Sequence, residues 1–493
     1  MKKTLSLIAV MAYLGAFAQF TSPNTGVTYN LTSLAQAAPG TVTNNGDHFL
    51  ISQNVTISAN DKLIIDENTI VKLNKDVMLY IFGTYQTNSP QLIYTTNVEG
   101  EAYKGIRFED TSTVDIKNTT IEKGGGMRVN TSNFVMNNCI IRKNVTMSGG
   151  ATSSAAIQFG SVNNTLIKNS GFIENYGSAL GSGANISVSG TIDSNYFYGN
   201  NTSNQNRPQI NMGPGGTAGI VITNNEIIGN RNLTMTGGIS ASALIGGANN
   251  VKIEYNIIRD NRYGITVAGN SSYGTVTRNI IENNNTQNNP LQGGSGINFI
   301  GSGTAVMDIK VSGNQVRGNL WGVTLQGTAQ ANFGSDIPGK ENEGKNIFKN
   351  NINEGKVYAL YNNTPNNIEA KFNCWREGEL SNDAMVEDVI THQVDDTAYG
   401  VVNFKPYNCG AVQAVTDLQK AKLQVYPNPS QGTFNLKSES EGNVVITDFS
   451  GRTVYSGSVI KGENKINLKA TAGVYILNYQ NETAKSSTKI VIQ

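Results

Sequence analysis

The chain has 493 residues, with 37 Lys and Arg against 36 Asp and Glu, a formal net charge of +1 and 15% charged residues. That balance excludes a polybasic nucleic-acid binder, whose phosphate contacts need a surplus of Lys and Arg. The 38% of hydrophobic and 8% of aromatic residues exclude a disordered chain. The excess lies in 53 Gly and 66 Asn, while two His and three Cys leave little for a multi-ligand zinc or haem site.

In chain order, Lys2 and Lys3 precede an apolar run from Leu5 to Leu14, and Ala16-Phe17-Ala18 gives a small-x-small cleavage pattern. This predicts a signal peptide over 1–18, a mature start at Gln19 and export. No later apolar run approaches the roughly 20 residues of a membrane helix, so no membrane span is expected. Residues 19–60 are read as an N-terminal segment and cap, 61–375 as a solenoid, 376–410 as its C-terminal cap and 411–422 as a linker.

The solenoid reading rests on an Asn-phased repeat. Asn195 and Asn200, Asn225 and Asn230, Asn256 and Asn261, Asn279 and Asn284, Asn314 and Asn319, and Asn346 and Asn351 bracket short apolar segments. Cys139 with Asn144 and Ser170 with Asn175 are earlier copies. A second pattern, Gly or Ala followed by apolar-x-apolar, recurs at Gly105, Gly126, Ala156, Gly264, Gly296 and Gly322. These runs alternate with period two, so they are strands with one buried face. Asn suits the corners because it tolerates left-handed backbone, and stacked amides can bond the Asn above and below. Short strands with Asn corners at a rung of about 25 residues predict a right-handed parallel β-helix. Leucine-rich repeats would show a Leu-x-x-Leu-x-Leu signature, and a propeller would need blades of about 40 residues.

The segment from Asp61 to Leu73, followed by Leu79-Tyr-Ile-Phe-Gly83, resembles the opening coils of secreted pectate-lyase-like β-helix proteins. Tyr103-Lys-Gly-Ile-Arg-Phe108 is similar to the next rung of that family, and Asn373-Cys-Trp375 and Gly400 to Pro406 to its closing coils. Arg376 stands where the family has Gly, so the last turn is expected to differ. The resemblance implies shape rather than chemistry. Cys374 and Cys409 bracket the closing segment, which in an exported protein reads as a disulfide. Cys139, at a repeat position within the rungs, reads as buried and inert.

Composition shifts after Cys409, and beyond the linker a new module spans residues 423–493. Pro427, Asn428, Pro429 and Gly432 open a module of alternating strands with turns at Gly451 and Gly473, a small β-sandwich. The Tyr-Pro-Asn-Pro start, the Asp-x-x-Gly-Arg turn ending at Arg452 and the Gly-x-Tyr strand at Gly473 and Tyr475 resemble the type A sorting domain of type IX secretion, a family of the Bacteroidetes. The resemblance implies engagement of the type IX machinery, passage across the outer membrane, removal of the module near the linker, and release or surface attachment.

For chemistry, a lyase on such a scaffold needs a Lys or Arg base and commonly Ca²⁺ held by carboxylates. A glycosidase needs paired carboxylates. No mid-solenoid Asp-Asp pair occurs; Asp395-Asp396 falls in the terminal cap. The outward position of the Gly-apolar-x-apolar strands carries Arg107, Arg128, Gln158, Thr266, Asn298 and Thr324, a polar strip with a basic end. It reads either as a solvated face or as a groove for acidic polysaccharide. Tyr176, Tyr263 and Trp321, each before a strand Gly, are either exposed for stacking on sugar rings or an interior aromatic ladder, the second being preferred. Arg259, Glu282, Arg317 and Lys349 align as exposed cross-rung pairs. The insertion from Asn206 to Met212 is expected to be a loop without chemistry of its own.

The expectation is a monomeric exported or surface β-helix that binds polysaccharide along one face without catalysis, with catalytic residues unknown, no metal and no cofactor. The alternatives are a polysaccharide lyase or glycoside hydrolase acting on plant or algal glycans, with Ca²⁺ a possible cofactor only for the lyase, and a surface adhesin or structural protein.

Overall fold

Four-residue strands with one apolar face cannot bury it alone, so successive copies must coil and stack. The computed structural model, which describes residues 19–304, 306–409, 423–448, 451–481 and 484–493, shows that coil; the expected signal peptide and linker lie outside these residues. One wall is a 14-stranded sheet running from Phe20–Thr21 to Ile390–Thr391. It contains the Gly-apolar-x-apolar segments, among them Gly105–Phe108, Ile265–Ala268, Ser295–Gly301 and Trp321–Gly327. A second wall is made of strands such as Val188–Asp193, Gly216–Thr223 and Asn249–Glu254, and a third of short strands such as Gly171–Ile173, Tyr196–Tyr198, Glu226–Ile228 and Ile257–Arg259. Each pairs in parallel with its counterpart one coil on. The fold is an all-β right-handed parallel β-helix followed by a small antiparallel module.

Two amide ladders hold the corners of the third wall. In the first, Asn256 N–H and Nδ2 donate to Asn279 Oδ1 at 3.0 and 2.9 Å while Nδ2 also donates to Ile222 O at 2.8 Å. The same exchange runs from Asn195 through Asn225, Asn256, Asn279, Asn314 and Asn346 to Asn373. Buried polar groups are costly unless bonded, and here every amide is satisfied in register, which fixes the stacking of the coils.

Three details differ from the sequence reading. The left-handed residue is the one before the ladder Asn, not the Asn itself, and it need not be Asn: Tyr255 (φ 58°) precedes Asn256 and Arg278 (φ 56°) precedes Asn279. The segment from Asn206 is not a loop, because Arg207–Met212 is a strand of the first wall. Its Gln209 takes the second-ladder place expected of Asn230, accepting from Asn200 Nδ2 at 2.9 Å and donating to Asn261 Oδ1 at 3.0 Å. Gln has one more methylene than Asn and reaches the corner from another wall, while Asn230 accepts locally from Asn232 N–H at 3.0 Å.

Parallel pairing starts before residue 61, with Val55–Ile57 against Met78–Ile81 and His48–Ile51 against Ile70–Leu73. It continues past 375, with Leu360–Asn363 against Ile390–Thr391. The entry is sealed by the helix Leu31–Ala37 and by Asp61, a buried carboxylate that accepts from the backbone N–H groups of Asn24, Thr25, Gly26 and Val27 at 2.7, 3.0, 2.9 and 2.9 Å. At the exit Cys374 and Cys409 form a disulfide. Cys139 is buried, which pushes its thiol up to about 12. Inside, Phe172 stacks on Phe197 at 4.8 Å and Phe348 on Trp375 at 5.0 Å.

The C-terminal module has its own core of Phe434, Leu436, Val444, Ile446, Leu477 and neighbours. A three-stranded and a four-stranded antiparallel sheet enclose it. Gly432 and Gly451 take left-handed backbone (φ 87° and 84°). Asn428, between Pro427 and Pro429, ties the module's first turn to its last strand: its Nδ2 donates to Lys489 O at 2.9 Å and its Oδ1 accepts from Val491 N–H at 2.8 Å. Gly473 opens the strand Gly473–Gln480, and the Tyr475 hydroxyl on it donates to Thr471 O at 2.7 Å.

Candidate functional site

The outward positions of the first wall stand in one row. Register carries it from Tyr80 through Arg107, Arg128, Gln158, Gly181, Asn211, Ser240, Thr266, Asn298 and Thr324 to Tyr361. With strands about 4.8 Å apart, Arg107 and Tyr361 lie roughly 43 Å apart along the coil.

At the basic end the charges are already spent on each other. Arg107 Nε donates to Glu109 Oε1 at 2.8 Å, Asn130 Nδ2 donates to Glu109 Oε2 at 2.8 Å, and Arg128 Nε donates to Asn130 Oδ1 at 3.1 Å. Burial would raise the Glu109 carboxyl, but the hydrogen bonds from Arg107 and Asn130 and the two guanidinium charges hold it below the usual carboxylate range. Gln158 is folded back, its Oε1 accepting from Ser153 N–H at 2.8 Å. The middle of the row, Gly181, Asn211 and Ser240, offers small side chains only.

At the other end the same row opens into a cavity of about 560 Å³ lined by Thr266, Asn298, Thr324, Gln326, Tyr361 and Asn363 from the wall and by Arg262, Tyr263 and Trp321 from the corners. Trp321 stacks on Tyr361 at 5.2 Å and meets Tyr358 at 4.6 Å, and the Tyr361 hydroxyl is 3.0 Å from that of Tyr399. Burial and the Tyr399 hydroxyl raise the Tyr361 phenol, so it stays neutral. Asn298 Oδ1 accepts from Thr324 Oγ1 at 2.8 Å, which leaves the Asn298 amide N–H₂ as a donor on the row.

The interior ladder preferred for Tyr176, Tyr263 and Trp321 does not form, and none of the three belongs to the solenoid core. They sit where the chain turns from the third wall into the first, and the corner breaks the period-two alternation that would have pointed them inward. Tyr176 is 44% exposed and alone; Tyr263 lies over Gly237, where a Cβ would meet its ring at 2.2 Å. Trp321 Nε1 donates to Pro290 O at 3.0 Å, pinning the loop that forms one rim of the cavity. Leu291 at the tip of that loop is 93% exposed.

Sequence reading missed Arg262, which a turn position next to Tyr263 gave no reason to single out. It is only 5% exposed. Its Nη1 and Nη2 donate to Asn206 Oδ1 and Gln292 O, bridging the two loops that flank the cavity, and its Nε finds no partner. No carboxylate among the described residues pairs with it, and burial lowers its pKa. A buried guanidinium without a counter-charge is costly, and its fork geometry suits a carboxylate or sulfate oxygen.

Arg317 and His392 are engaged within the fold. Arg317 binds Glu377 with Nε and Nη2 at 2.7 and 2.8 Å and reaches Glu282 at 3.3 Å, in the register Arg259, Glu282, Arg317, Lys349. In the exit cap His392 Nε2 bonds Glu387 at 2.6 Å, and Asp395 accepts from His392 N–H at 3.0 Å. Among the described residues no three His, Cys, Asp or Glu side chains gather as for a metal ion, and no helix is long and apolar enough to cross a membrane.

Residues 155–336 match the family described as a right handed beta helix region, and residues 424–493 match the secretion system C-terminal sorting domain. No curated protein matches the chain. Solved structures similar to it include the periplasmic alginate epimerase AlgG, at 13% identity over 78% of this chain and 80% of that one with a TM-score of 0.34. Two point mutants of that enzyme match at 13% and 11% identity, covering 78% of this chain and 81% and 80% of theirs, with TM-scores of 0.38 and 0.37.

Proposed function

We propose that this chain, a right-handed parallel β-helix sent by a type IX secretion sorting domain to the cell surface or the extracellular space, binds polysaccharide on its first wall. The anchor is the cavity at the Trp321 end, and Arg262 takes an acidic group of the sugar. The observation that carries the reading is the unpaired, buried Arg262 beside an aromatic wall. Ring surfaces of Trp321 and Tyr361 suit the C–H faces of pyranoses. The amides of Asn298, Gln326 and Asn363 and the hydroxyl of Thr266 suit sugar hydroxyls, and one guanidinium suits one anionic group per subsite. The row continuing toward Arg128 gives a linear polymer further contacts that a closed pocket lacks. In this reading these side chains hold and orient a sugar, and none is a carboxylate of the kind a glycosidase pairs. In this reading residues 1–18 serve as the signal that takes the chain to the periplasm, and the working unit is a monomer.

The test is calorimetric titration of acidic and neutral oligosaccharides into the wild-type chain and into Trp321→Ala and Arg262→Gln. The reading expects binding of acidic chains that both variants weaken. Binding of neutral and acidic chains with equal strength, or binding that both variants leave intact, would overturn it. Assay of the same mixtures for unsaturated products and new reducing ends separates binding from a lyase or hydrolase.

A further inference from the structure

The third wall carries an apolar seat on its outer side, and the occupant is the chain's own C-terminal module. Along that wall the middle residue of each short strand points inward, as Ile141, Phe172, Phe197 and Ile227 do in the core. Of the two outer residues flanking it, the second is charged in the later coils, where Arg259, Glu282, Arg317 and Lys349 stand in register, while the first is Ile257, Ile280, Gln315 and Ile347. In the coils before them the first position holds Ile140 and Tyr196 and the second Ile173 and Ile228, alternating with Gly171, Glu226, Arg142 and Tyr198, and these four apolar side chains are buried yet outside the solenoid core. Outward apolar side chains gathered on adjacent coils and buried outside the core mark a contact surface.

The module supplies the match. Val474 and Val491 face each other across neighbouring strands and point away from the module's own core, toward Ile140, Ile173, Tyr196 and Ile228. Polar contacts frame the cluster. Lys489 Nζ donates to Asn224 O at 2.7 Å and to Asn195 O at 3.4 Å, and the Tyr196 hydroxyl donates to Asn428 O at 3.5 Å. The two carbonyls belong to corners that the amide ladders present at a fixed spacing, so the seat is rigid before anything docks.

We propose that this patch is a specific docking site for the sorting module, so that cutting the linker does not by itself free the module. Hydrolysis of a peptide bond between residues 410 and 422 leaves two folded pieces held through the Ile228–Val491 cluster, and separation is a second step with its own affinity. The docked module hides the patch, and the mature solenoid displays it only after that step. The linker makes docking intramolecular and raises its effective concentration, which the cut removes. The proposal stands apart from what the first wall binds.

The experiment uses the full-length chain with a site-specific protease sequence inserted in the linker, cut and then run by size exclusion at low micromolar concentration. The expected result is co-elution of the two pieces as one particle. Ile228→Asp on the solenoid and Val474→Asp on the module each place an unpaired charge in the cluster, and each should raise the dissociation constant by about tenfold or more. Ile280→Asp, on the same wall away from the contact, should leave co-elution unchanged. Circular dichroism of each separated piece checks that it remains folded. Clean separation of the wild-type pieces, or co-elution that survives both Ile228→Asp and Val474→Asp, would overturn the proposal.

Discussion

The two ends of the outward row on the first wall are built on the same scaffold and do opposite things with arginine. At the Arg107 end two guanidiniums lie on adjacent strands, and Glu109 with Asn130 ties them into a closed network. At the Trp321 end a single guanidinium, Arg262, is more deeply buried and has an unbonded Nε, and no acid among the described residues pairs with it. The end with more positive charge is the one with less of it on offer. Counting basic residues along a strip therefore locates charge, whereas free charge depends on what each group already touches.

The largest expected effect tests whether the ends differ in surface alone. Asn175 and Asn319 occupy equivalent places in the second ladder, donating to Asn200 and Asn351 at 2.7 and 3.0 Å. Asn175→Leu and Asn319→Leu each strand several buried bonds and should each cost about 2–4 kcal/mol. Denaturant unfolding checks this, and a large difference between the two would mean that the scaffolds differ as well. Next come the ligand contacts. Trp321→Ala and Arg262→Gln should weaken acidic oligosaccharide binding by about tenfold to a hundredfold. Arg107→Gln and Arg128→Gln should change it by less than about threefold, because those groups are already engaged.

The smallest effect is a pH response confined to the basic end. Glu109 has a folded-state pKa below its ordinary value, so its contribution is present above about pH 4.3 and is lost as pH falls through the lower folded value. Protonation there releases Arg107 from its ion pair. A sulfated oligosaccharide, which keeps its charge, should then gain contacts at that end on acidification. Measuring its affinity in wild type and Glu109→Gln checks this: the variant should show the gain already at neutral pH. Asp61 behaves alike in sign, since the hydrogen bonds from Ser22 and the amides of Asn24, Gly26 and Val27 outweigh its burial and hold its carboxyl low. Protection of the amides of residues 24–27, measured against their intrinsic exchange rates, should fall as pH drops toward that range.

The same contrast shows what a sequence displays. The Asn pairs and the Gly-apolar-x-apolar runs are local and periodic, so the coil, its inward faces and its sorting module could be read directly. Gln209 could not, because it reaches a ladder from another wall and no spacing along the chain links it to Asn200 or Asn261. Trp321 was visible as an aromatic before a strand Gly, but its direction depends on a corner where alternation fails. Arg262 left no signal at all. What singles it out is burial without an acidic partner, which becomes visible only once the two loops carrying Asn206 and Gln292 are folded over it. The strip from Arg107 to Thr324 was identified as one row, and the structure adds which of its members are free.

The central claim is that sugar binds at the aromatic end, and the chain supplies its own reporter there. It has two Trp, and Trp375 is buried against Phe348 in the core. In a Trp375→Phe background all Trp emission comes from Trp321, so an acidic oligosaccharide titrated into that protein reads the cavity directly. The account predicts a saturable change in Trp321 emission whose midpoint matches the calorimetric dissociation constant and disappears with Arg262→Gln. Calorimetric binding with unaltered Trp321 emission would place the sugar elsewhere and contradict it.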